Sequence, residues 1–371
     1  MAKRPTVYDV AQAAGVSIAT VSFTFRQPER VRASTREAVL EAARRLNYVP
    51  SANARGLADG RTGALGLYSF DMFLEAVAGG VRPVREDPGP FFTGADVADR
   101  AFAHDADAQD FRLFPLYVDE VQRGFELECA RRGRALLIGS GPGGDGARVI
   151  DVASRVDGLA VFPGAHSAGI IAQLSHRLPV VAFAMPFGAG SLHHILVDNR
   201  DGAEALTRHL VVDHGLRDVQ FVGAPEMPDY AERFEGMCQA LRRLGLRAPD
   251  AVLDPTALVD VEPFAVIRSL VDQDRLPSAL LCASDQHALG LLDLLRDRGV
   301  DVPGQVAVTG FDGVVAGRIS EPTLTTVRQP MEAMGRLAVD LLMESLTVHG
   351  LEPVDTTLPV RMIRRRSCGC A

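Results

Sequence analysis

Three charged residues follow short apolar runs at positions where a polar molecule could bind. Asp71 ends the run that starts at residue 64, Asp285 follows 280–284, and Arg233 lies in the first turns of a later helical stretch. Ligands of open α/β sheets bind at such strand ends, and aspartate and arginine together hold the hydroxyls of a polyol or sugar by charge-assisted hydrogen bonds. Each residue taken singly is equally compatible with a helix cap or a surface charge.

Other patterns that carry chemistry are incomplete. Residues 139–144 read GSGPGG and fit G-x-G-x-x-G, but no helix opens within them and no acid ends the next strand, as a dinucleotide site requires. The sequence has no Walker, G-x-S-x-G or H-E-x-x-H pattern. His193 and His194 precede an apolar run without a carboxylate partner in sequence, which indicates a strand-edge pair. We expect no catalytic residue, no enzyme activity and no cofactor.

The five cysteines are too few and too scattered for a disulfide framework. Three lie in apolar helical or strand-like runs, as buried small hydrophobic residues do. Cys368 and Cys370 flank Gly369 near the chain end and are of the type that binds metal ions or senses oxidation. Because no histidine or further cysteine lies near them in sequence to complete a tetrahedral site, we expect no metal there.

Charge is distributed unevenly along the 371 residues. Residues 1–61 carry ten basic and five acidic residues, a net +5, whereas the remainder carries −13 and the whole chain −8. We call residues 1–61 the basic head and the remainder the acidic body. Such a charge distribution is typical of a protein with a polyanion-binding module at one end. No apolar run approaches the roughly 18 residues of a membrane span, and the N-terminus lacks the apolar core of a signal peptide. We expect a cytoplasmic protein without a membrane partner.

The basic head has the pattern of a helix-turn-helix. Thr6 and Asp9 form a capping box at the start of a helix that Gly15 ends, and Ser17 caps a second helix. This second helix begins with small or uncharged residues and is slim enough to enter the major groove of DNA. A third helix at about 34–47 closes the bundle. On this pattern alone, a three-helix bundle without a role in DNA binding is an equal alternative.

The body alternates short apolar runs with amphipathic helices. The apolar runs are 64–69, 135–139, 158–162, 179–183, 194–197, 219–222, 279–282 and 306–309. The helical stretches include 119–132, 199–213, 230–244, 263–273, 286–298 and 331–349. Such alternation predicts parallel sheets covered by helices, here in two α/β subdomains with a cleft between them. Residues 72–111, rich in Pro, Gly and Asp, have no helical or strand period and predict a long loop.

A series of short motifs runs in order along the chain. In the head they are Val7-Tyr8-Asp9-Val10-Ala11, Ala14-Gly15-Val16-Ser17, Thr20-Val21-Ser22, Thr35-Arg36, Leu46-Asn47-Tyr48-Val49-Pro50 and Ala54-Arg55-Gly56-Leu57. In the body they are Val156–Leu159, Val197–Asn199, Gly202-Ala203, His209-Leu210, Arg233 with Gly236, Ala283–Asp285, Gly310–Asp312, Leu324–Pro330 and Arg365–Ser367. Together they resemble the lactose-repressor/galactose-repressor (LacI/GalR) family of transcription factors, over nearly the whole chain except 72–111.

The resemblance implies a division into three parts. These are an N-terminal all-α helix-turn-helix DNA-binding domain at 1–50, a hinge helix and linker at 51–62, and a periplasmic-binding-protein-like α/β effector and dimerisation domain with parallel sheets at 63–371. Within the last part we expect an N-subdomain at about 63–184 and 302–329 and a C-subdomain at about 185–301 and 330–371.

The resemblance also implies a homodimer that binds double-stranded operator DNA, most often as a repressor, and a small-molecule effector of sugar-like or related type. The DNA-binding residues that it implies are Thr6, Ser17, Ile18, Ala19, Thr20, Ser22, Phe23, Arg26, Asn53, Arg55 and Leu57. Leu57 would insert into the minor groove and kink the duplex. The effector-binding residues that it implies are Asp71, Phe114, Arg233 and Asp285.

Four positions depart from the family pattern. Phe23 and Arg26 stand where many members carry Arg or His and Asn, so the operator sequence does not transfer. Phe114 replaces a usual Asn and removes a polar group from the cleft, and Ser284 replaces another Asn. The chain ends without apolar heptads for a tetramer, so we expect a dimer. A two-lobed solute-binding protein or a cleft enzyme on the same fold is the alternative.

Overall fold

A computed structural model describes residues 5–48, 61–70, 74–77, 80–83, 116–141, 146–164, 166–184, 192–256, 263–348 and 351–371. The chain divides into two units, Met1–Gly63 and Ala64–Ala371. Each unit has its own buried core and is described by itself.

The described part of the first unit contains three helices, α1 (Val7–Ala14), α2 (Ile18–Arg26) and α3 (Ala33–Arg45), with a 3-10 turn at Pro28–Arg30. Helices of 8 to 13 residues are marginal by themselves. Their stability comes from a shared core, formed by Val10, Ala11, Val21, Val39, Ala42 and Ala43.

The predicted helix caps of the first unit are confirmed. Thr6 Oγ1 accepts a hydrogen bond from the backbone N of Asp9, whose carboxylate in turn accepts one from the backbone N of Thr6. Gly15 ends α1 with φ of 66°, a conformation that costs glycine little. Ser17 Oγ then accepts from the backbone N of Thr20 and starts α2.

The described part of the second unit contains thirteen strands. These are β1 (Ala64–Phe70), β2 (Leu74–Val77), β3 (Gly80–Pro83), β4 (Ala135–Gly141), β5 (Gly158–Phe162), β6 (Val180–Phe183), β7 (His193–Val197), β8 (Val219–Val222), β9 (Ala279–Cys282), β10 (Ala307–Asp312), β11 (Thr325–Arg328), β12 (Asp355–Leu358) and β13 (Arg361–Ile363). The predicted apolar runs all coincide with strands of this set.

Eight α-helices are described in the second unit. These are α4 (Leu116–Arg131), α5 (Gly146–Ala153), α6 (Ala168–Ser175), α7 (Asn199–Arg208), α8 (Pro228–Arg243), α9 (Ala265–Asp272), α10 (Asp285–Asp297) and α11 (Met331–Thr347). A π-helical turn at His209–Asp213 extends α7, and 3-10 turns lie at Val315–Arg318 and Arg366–Cys368.

Two large sheets organise the second unit. The six-stranded sheet has the order β12-β7-β6-β5-β1-β4, and all of its pairings are parallel. The five-stranded sheet has the order β13-β11-β10-β9-β8, parallel except for the edge strand β13. Each strand of the interior is buried on both faces, as the near-continuous apolar runs predict. The predicted α/β class with two parallel sheets is confirmed.

The expected bounds of the two subdomains were wrong in three places. Strands β10 and β11 were expected with the N-subdomain but lie in the five-stranded sheet, whereas β7 and β12 were expected with the C-subdomain and lie in the six-stranded sheet. Strands β12 and β13 follow each other closely in sequence but join different sheets. Strand patterning predicts which residues are extended, but not which of two parallel sheets receives them.

The segment 72–111 was expected to lack strands. Within it, β2 and β3 pair in an antiparallel ladder in which Leu74 is opposite Pro83 and Val77 is opposite Gly80. The expectation of a structureless loop was therefore wrong for this part of the segment. A two-stranded ladder of four residues each is too short to produce a clear period in sequence.

Helices α4 and α11 pack closely against each other beside the six-stranded sheet. A Cβ on Gly124 would collide with the carbonyl oxygen of Glu332, and one on Gly335 with that of Val121. The two glycines therefore set the distance between these helices. The first turn of α4 carries Tyr117, and the helix pair thereby fixes the position of that side chain.

Candidate functional site

The first turns of α2 present a slim exposed surface on the first unit. Ser17, Ile18, Ala19 and Phe23 are exposed, with Ile18 and Phe23 each 41% accessible. Large apolar side chains are unusual on an exposed helix face of so small a unit, and they are suited to contact base edges and thymine methyl groups. The opposite face of the helix carries the fully buried Val21.

The electrostatics of this surface suit a polyanion. The first turn of α2 contains no acid, so its N–H groups and helix dipole favour a nearby phosphate. Arg30, Arg32 and Arg45 are exposed on the same unit, and the Arg30 guanidinium lies 6.0 Å from the centre of the Phe23 ring. Thr6, Thr20 and Ser22, also predicted to contact DNA, are accessible in whole or part. The side chain of Arg26 and residues Asn53, Arg55 and Leu57 lie outside the described residues.

In the second unit, Arg233 on α8 is buried at the carboxyl ends of the five-stranded sheet. Its Nε donates to Asn199 Oδ1 at 2.9 Å, and its terminal nitrogen donates to the backbone oxygen of Ala283, just after β9, at 2.6 Å. The guanidinium carbon lies 3.8 Å from the centre of the Phe311 ring. Arg233 therefore joins three elements at the ends of these strands.

Two carboxyl groups lie beside the Arg233 guanidinium. Asp312 ends β10 with its oxygen 3.7 Å from Arg233, and Asp229, one helical turn before Arg233, lies at 3.6 Å. Burial raises the pKa of Asp312 to about 8, against the lowering effect of Arg233 and with a further rise from Asp285. Burial likewise raises the pKa of Asp229, and Arg233 opposes it. Gln329 donates to Asp312 at 2.7 Å.

Tyr117 on α4 lies near these charges, on the side of the six-stranded sheet. Burial raises the pKa of Tyr117, and the charges of Asp229 and Asp312 raise it further, which means that its phenol lies within electrostatic range of both. The Tyr117 ring meets Phe162, the last residue of β5, edge-on at 6.0 Å, and Phe162 stacks on Phe183, the last residue of β6, at 4.6 Å. The carboxyl ends of both sheets thus converge, as they do around ligands in open α/β sheets.

These groups form one site, which we call the polar cluster: Tyr117, Asp229, Tyr230, Arg233 and Asp312. Tyr230, the neighbour of Asp229 on α8, contributes a second phenol, and burial raises its pKa to about 12. A guanidinium, two carboxyl groups and two phenols, flanked by stacked phenylalanines, provide donors and acceptors for a molecule with several hydroxyl groups.

Asp285 does not offer its carboxylate to this site. Its side chain is fully buried, and its two oxygens accept hydrogen bonds from Thr326 Oγ1 and, at 2.8 Å, from the backbone N of Val314. Burial raises its pKa to about 6, and these hydrogen bonds oppose that rise. Asp285 therefore holds the turn after β10 in place, and the expectation that it contacts an effector does not fit its geometry. Asp71 and Phe114 lie outside the described residues.

Sequence reasoning missed four members of the polar cluster, Tyr117, Asp229, Tyr230 and Asp312, and it also missed Asn199, which binds Arg233. Asp312 and Asn199, the partner of Arg233, were both within matched motifs, and Asp312 also stands at a strand end, so a signal for them existed. Asp229 and Tyr230 sit in the first turn of α8, where acids and aromatic residues are common for structural reasons alone. Their role follows from the approach of α8 to β9 and β10, which no local pattern shows.

The histidine pair at the start of β7 also differs from expectation. His194 Nδ1 lies 2.7 Å from the carboxylate of Asp355, and His193 Nε2 lies 2.8 Å from Ser345 Oγ. The pair has no carboxylate partner nearby in sequence, but the fold supplies one from 161 residues away. Strand β12 runs beside β7 and carries Asp355, so the pair joins the chain's last segments to the six-stranded sheet.

Two family models match the chain. Residues 6–51 match bacterial regulatory proteins of the lacI family, and residues 207–368 match a periplasmic binding protein-like domain. No helix among the described residues has the length and apolar character to cross a membrane.

Individual relatives cover almost all of the chain. The HTH-type transcriptional repressor PurR of Glaesserella parasuis is 26% identical over 95% of this chain and 94% of its own length. The solved complex of the transcriptional regulator CelR with cellobiose is 25% identical, with a TM-score of 0.62 over 98% of this chain and 100% of that one. The Lac repressor dimer bound to operator shares the fold, with 23% identity and a TM-score of 0.73 over 99% of both chains. On these matches and their order, the chain has a helix-turn-helix domain of the lacI family of bacterial regulatory proteins followed by a periplasmic binding protein-like domain.

Proposed function

We propose that this chain is a transcriptional repressor that binds a pseudo-palindromic operator as a homodimer, and that a polyhydroxylated metabolite bound at the polar cluster changes its affinity for that operator. The DNA-binding part of this proposal rests on one observation: the start of α2 is exposed and free of acids, within a helix-turn-helix that matches the lacI family. A regulator of this kind acts where the chromosome is, in the bacterial cytoplasm.

Base-edge contact is assigned to the exposed face of α2. Ile18, Ala19, Ser22 and Phe23 lie there, and in helix-turn-helix proteins the N-terminal residues of the second helix reach base edges. Thr6 and Ser17, at helix starts, are assigned to phosphate contact, since backbone N–H groups there favour anions. Phe23 stands where other members carry a long polar side chain. At the base pair that it contacts, apolar contact with a thymine methyl group therefore replaces a bidentate hydrogen bond.

Residues 51–62 are proposed as a hinge helix and linker, with Asn53, Arg55 and Leu57 as DNA contacts. This rests on the sequence motif Ala54-Arg55-Gly56-Leu57. An apolar side chain inserted between base steps kinks the duplex and widens the surface available for contact.

The effector half of the proposal rests on the polar cluster. CelR, a relative over nearly its full length, was solved with cellobiose, a molecule rich in hydroxyl groups. In this chain Arg233 would hold one hydroxyl by a charge-assisted hydrogen bond and Asp312 would hold another through its carboxyl group, while Phe162 and Phe183 provide an apolar wall. Asp71 and Phe114 remain proposed neighbours of the ligand from the sequence alone.

Coupling between ligand and DNA needs no chemical step. Tyr117 lies on α4 beside the six-stranded sheet, and Asp312 ends a strand of the five-stranded sheet. A ligand that bridges them favours one relative arrangement of the sheets and shifts the equilibrium by its difference in affinity for the two arrangements. The cluster therefore serves binding, and we propose no enzyme activity. The lacI family match of residues 6–51 favours this function over a two-lobed solute-binding protein or a cleft enzyme.

The proposed dimer has a candidate surface on the six-stranded sheet. Strand β4 is the edge strand of that sheet, and the apolar side chains of Ile138 on β4 and Ile150 on the neighbouring α5 are exposed. Exposed apolar side chains beside an open strand edge are a typical interface between subunits.

Selection of binding sites from random duplex DNA tests the first half. We expect enrichment of a palindromic site, and we expect Ala19→Glu to reduce affinity for it at least tenfold, because a carboxylate would face the base edges and phosphates. Ala38→Glu, with the same charge change on the exposed face of α3, is the matched control and should lose much less. Selection without a palindrome, or equal losses in both variants, would contradict the proposal.

A melting-temperature screen of sugars, polyols and nucleosides tests the second half. A ligand at 100 times its Kd stabilises the folded state by about 2.7 kcal/mol, which is readily measured. Tyr117→Phe keeps the ring against Phe162 but removes the hydroxyl, so it should weaken binding of the ligand found while leaving the ligand-free melting temperature close to wild type. The control is Tyr8→Phe on the first unit. If no compound shifts the wild-type curve, the effector half is wrong.

A further inference from the structure

Four side chains of the types that bind transition metals meet at the end of the chain. His209 begins the π-helical turn after α7 and His214 directly follows that turn, whereas Cys368 and Cys370 lie among the last residues. One atom of each, a ring nitrogen or a sulfur, lies within 4.8 Å of the corresponding atoms of the other three. The sequence showed no partner near Cys-Gly-Cys, but the fold brings two histidines from about 160 positions earlier in the chain.

The separations between these atoms are those of a tetrahedral site. The Nε2 atoms of His209 and His214 are 3.1 Å apart, and Cys370 Sγ lies 3.4 Å from His214 Nε2 and 3.5 Å from His209 Nε2. Cys368 Sγ lies 3.4 Å from His209 Nε2. Around a tetrahedral zinc ion, with Zn–N of about 2.0–2.1 Å and Zn–S of about 2.3 Å, the ligand atoms are about 3.4 Å apart for two nitrogens and about 3.6 Å apart for nitrogen and sulfur.

Hydrogen bonds among the four side chains do not account for this arrangement. His209 Nδ1 is paired with Asp213 Oδ2 at 2.7 Å, so that ring nitrogen carries the proton and Nε2 has a single in-plane lone pair. Three groups approach that one lone pair at 3.1–3.5 Å. One proton can satisfy one of them, whereas a cation at the common centre accepts lone pairs from all four.

The surroundings supply the second layer that metal sites have. Asp213 orients the His209 ring, in the carboxylate–histidine arrangement that fixes the ring tautomer of metal-binding histidines. Arg364 in turn lies 3.4 Å from the Asp213 carboxylate. Thr325 Oγ1 lies 3.0 Å from Cys368 Sγ and can donate a hydrogen bond to a thiolate.

The backbone conformation at the two histidines and at the two cysteines favours binding of one ion by all four side chains. The i→i+5 hydrogen bonding of a π-helical turn brings residues five apart closer to the same face than an α-helix does, and His209 and His214 are five apart. Such turns are frequent at functional sites. Gly369, between the cysteines, has φ of 99°, which a residue with a side chain rarely adopts, and this turn directs both sulfurs to the histidines.

We propose that His209, His214, Cys368 and Cys370 bind one zinc ion, in a closed structural site that fixes the C-terminal tail to the end of α7. Two imidazoles and two thiolates are a donor set of structural zinc sites, and soft sulfur ligands favour zinc over magnesium or calcium. With four protein ligands no position is open for a substrate. Cys368 and His209 are buried, whereas Cys370 and His214 are partly exposed and give the ion a route in.

Cobalt substitution of the full chain tests the site directly. Reduced protein, stripped with a chelator, should take up one Co²⁺ per chain, with thiolate-to-cobalt charge-transfer bands in the near ultraviolet and the visible bands of tetrahedral Co²⁺. One equivalent of Zn²⁺ should abolish both sets of bands, and elemental analysis should find one zinc per chain. A reduced wild-type protein that shows no charge-transfer band and retains no zinc would overturn the proposal. The same holds if the untreated protein contains a Cys368–Cys370 disulfide and the protein binds no metal after that disulfide is reduced.

Variants locate the ion without large changes in the core. Cys370→Ser and His214→Gln should each weaken zinc binding at least a hundredfold, and circular dichroism should show that they fold. Cys238→Ser and His176→Gln, which change the same residue types away from the site, should bind zinc as wild type does. Asp213→Asn, a positioning residue, should cost about 10- to 100-fold. Wild-type affinity in both Cys370→Ser and His214→Gln would refute the assignment.

Discussion

Asp312 gives the second unit a pH dependence that can be measured. Its carboxyl is buried at the end of β10 and has a pKa raised to about 8, even though the Arg233 guanidinium lies 3.7 Å away. The unfolded chain exposes the same carboxyl to water, where the pKa is about 3.9. Asp312→Asn removes this titration, while the Gln329 amide can still donate to the new amide oxygen.

The sign and size follow from linkage. Because the pKa of Asp312 is higher in the folded than in the unfolded state, the folded state holds a proton that the unfolded state has lost. This stabilisation is therefore fully present below about pH 4 and is lost as pH rises through about 8. The free energy of unfolding then falls by up to about 1.4 kcal/mol per pH unit. Between pH 6 and pH 8 the loss comes to about 2 kcal/mol, since the carboxyl is only half ionised at the upper end. Asp285, with a pKa raised to about 6, titrates mainly below this window and is present in both proteins.

Urea unfolding at pH 6, 7 and 8 measures the effect. The wild type should lose about 2 kcal/mol more than Asp312→Asn across this range, and Asp297→Asn, which changes an exposed carboxylate, should follow the wild type. Parallel curves for wild type and Asp312→Asn would show that Asp312 is ionised in the folded protein at pH 6, and the electrostatic account of the polar cluster would be wrong.

Three further predictions follow from the site and the motifs. Arg233→Met should destabilise the second unit by about 3–5 kcal/mol in urea unfolding at pH 8, because it leaves Asp229 and Asp312 without their buried counter-charge. Asp312→Asn in the same chain should restore part of the lost stability. If the two changes in unfolding free energy simply add, the pairing of Arg233 with Asp312 is contradicted. Leu57→Ala should keep the first three helices folded but reduce operator affinity and DNA bending, and an unchanged bend angle would make the hinge a simple tether. Light scattering should give the mass of two subunits, and a mass of four would refute the expected dimer.

Local signals predicted the first unit well. Thr6, Asp9, Gly15 and Ser17 act within four residues of their own positions, and a cap is a property of a short stretch of chain. The strands of the second unit were predicted equally well from apolar runs, because strands buried on both faces need near-continuous apolar sequence. What the runs do not encode is which sheet each strand joins, and β10 and β11 were placed wrongly for that reason.

The sites were less predictable because they join distant parts of the chain. Arg233 was identified by motif, but its counter-charges Asp229 and Asp312 become visible only when α8 and β10 are in place. Asp285 looked like a ligand-binding acid because it follows a strand, yet its hydrogen bonds to the turn after β10 use both oxygens. Cys370 had its histidine partners 156 and 161 residues away. A spacing rule that inspects neighbours in sequence cannot detect such a group.

The central claim is sequence-specific binding of DNA by the first unit of the full chain. The most direct measurement is the ratio of affinities for the selected palindrome and for a scrambled duplex of the same length and composition, taken at several salt concentrations. The account predicts a preference of about a thousandfold or more near physiological salt, with affinity for both duplexes falling steeply as salt rises. Equal affinity for the two duplexes at every salt concentration would contradict it.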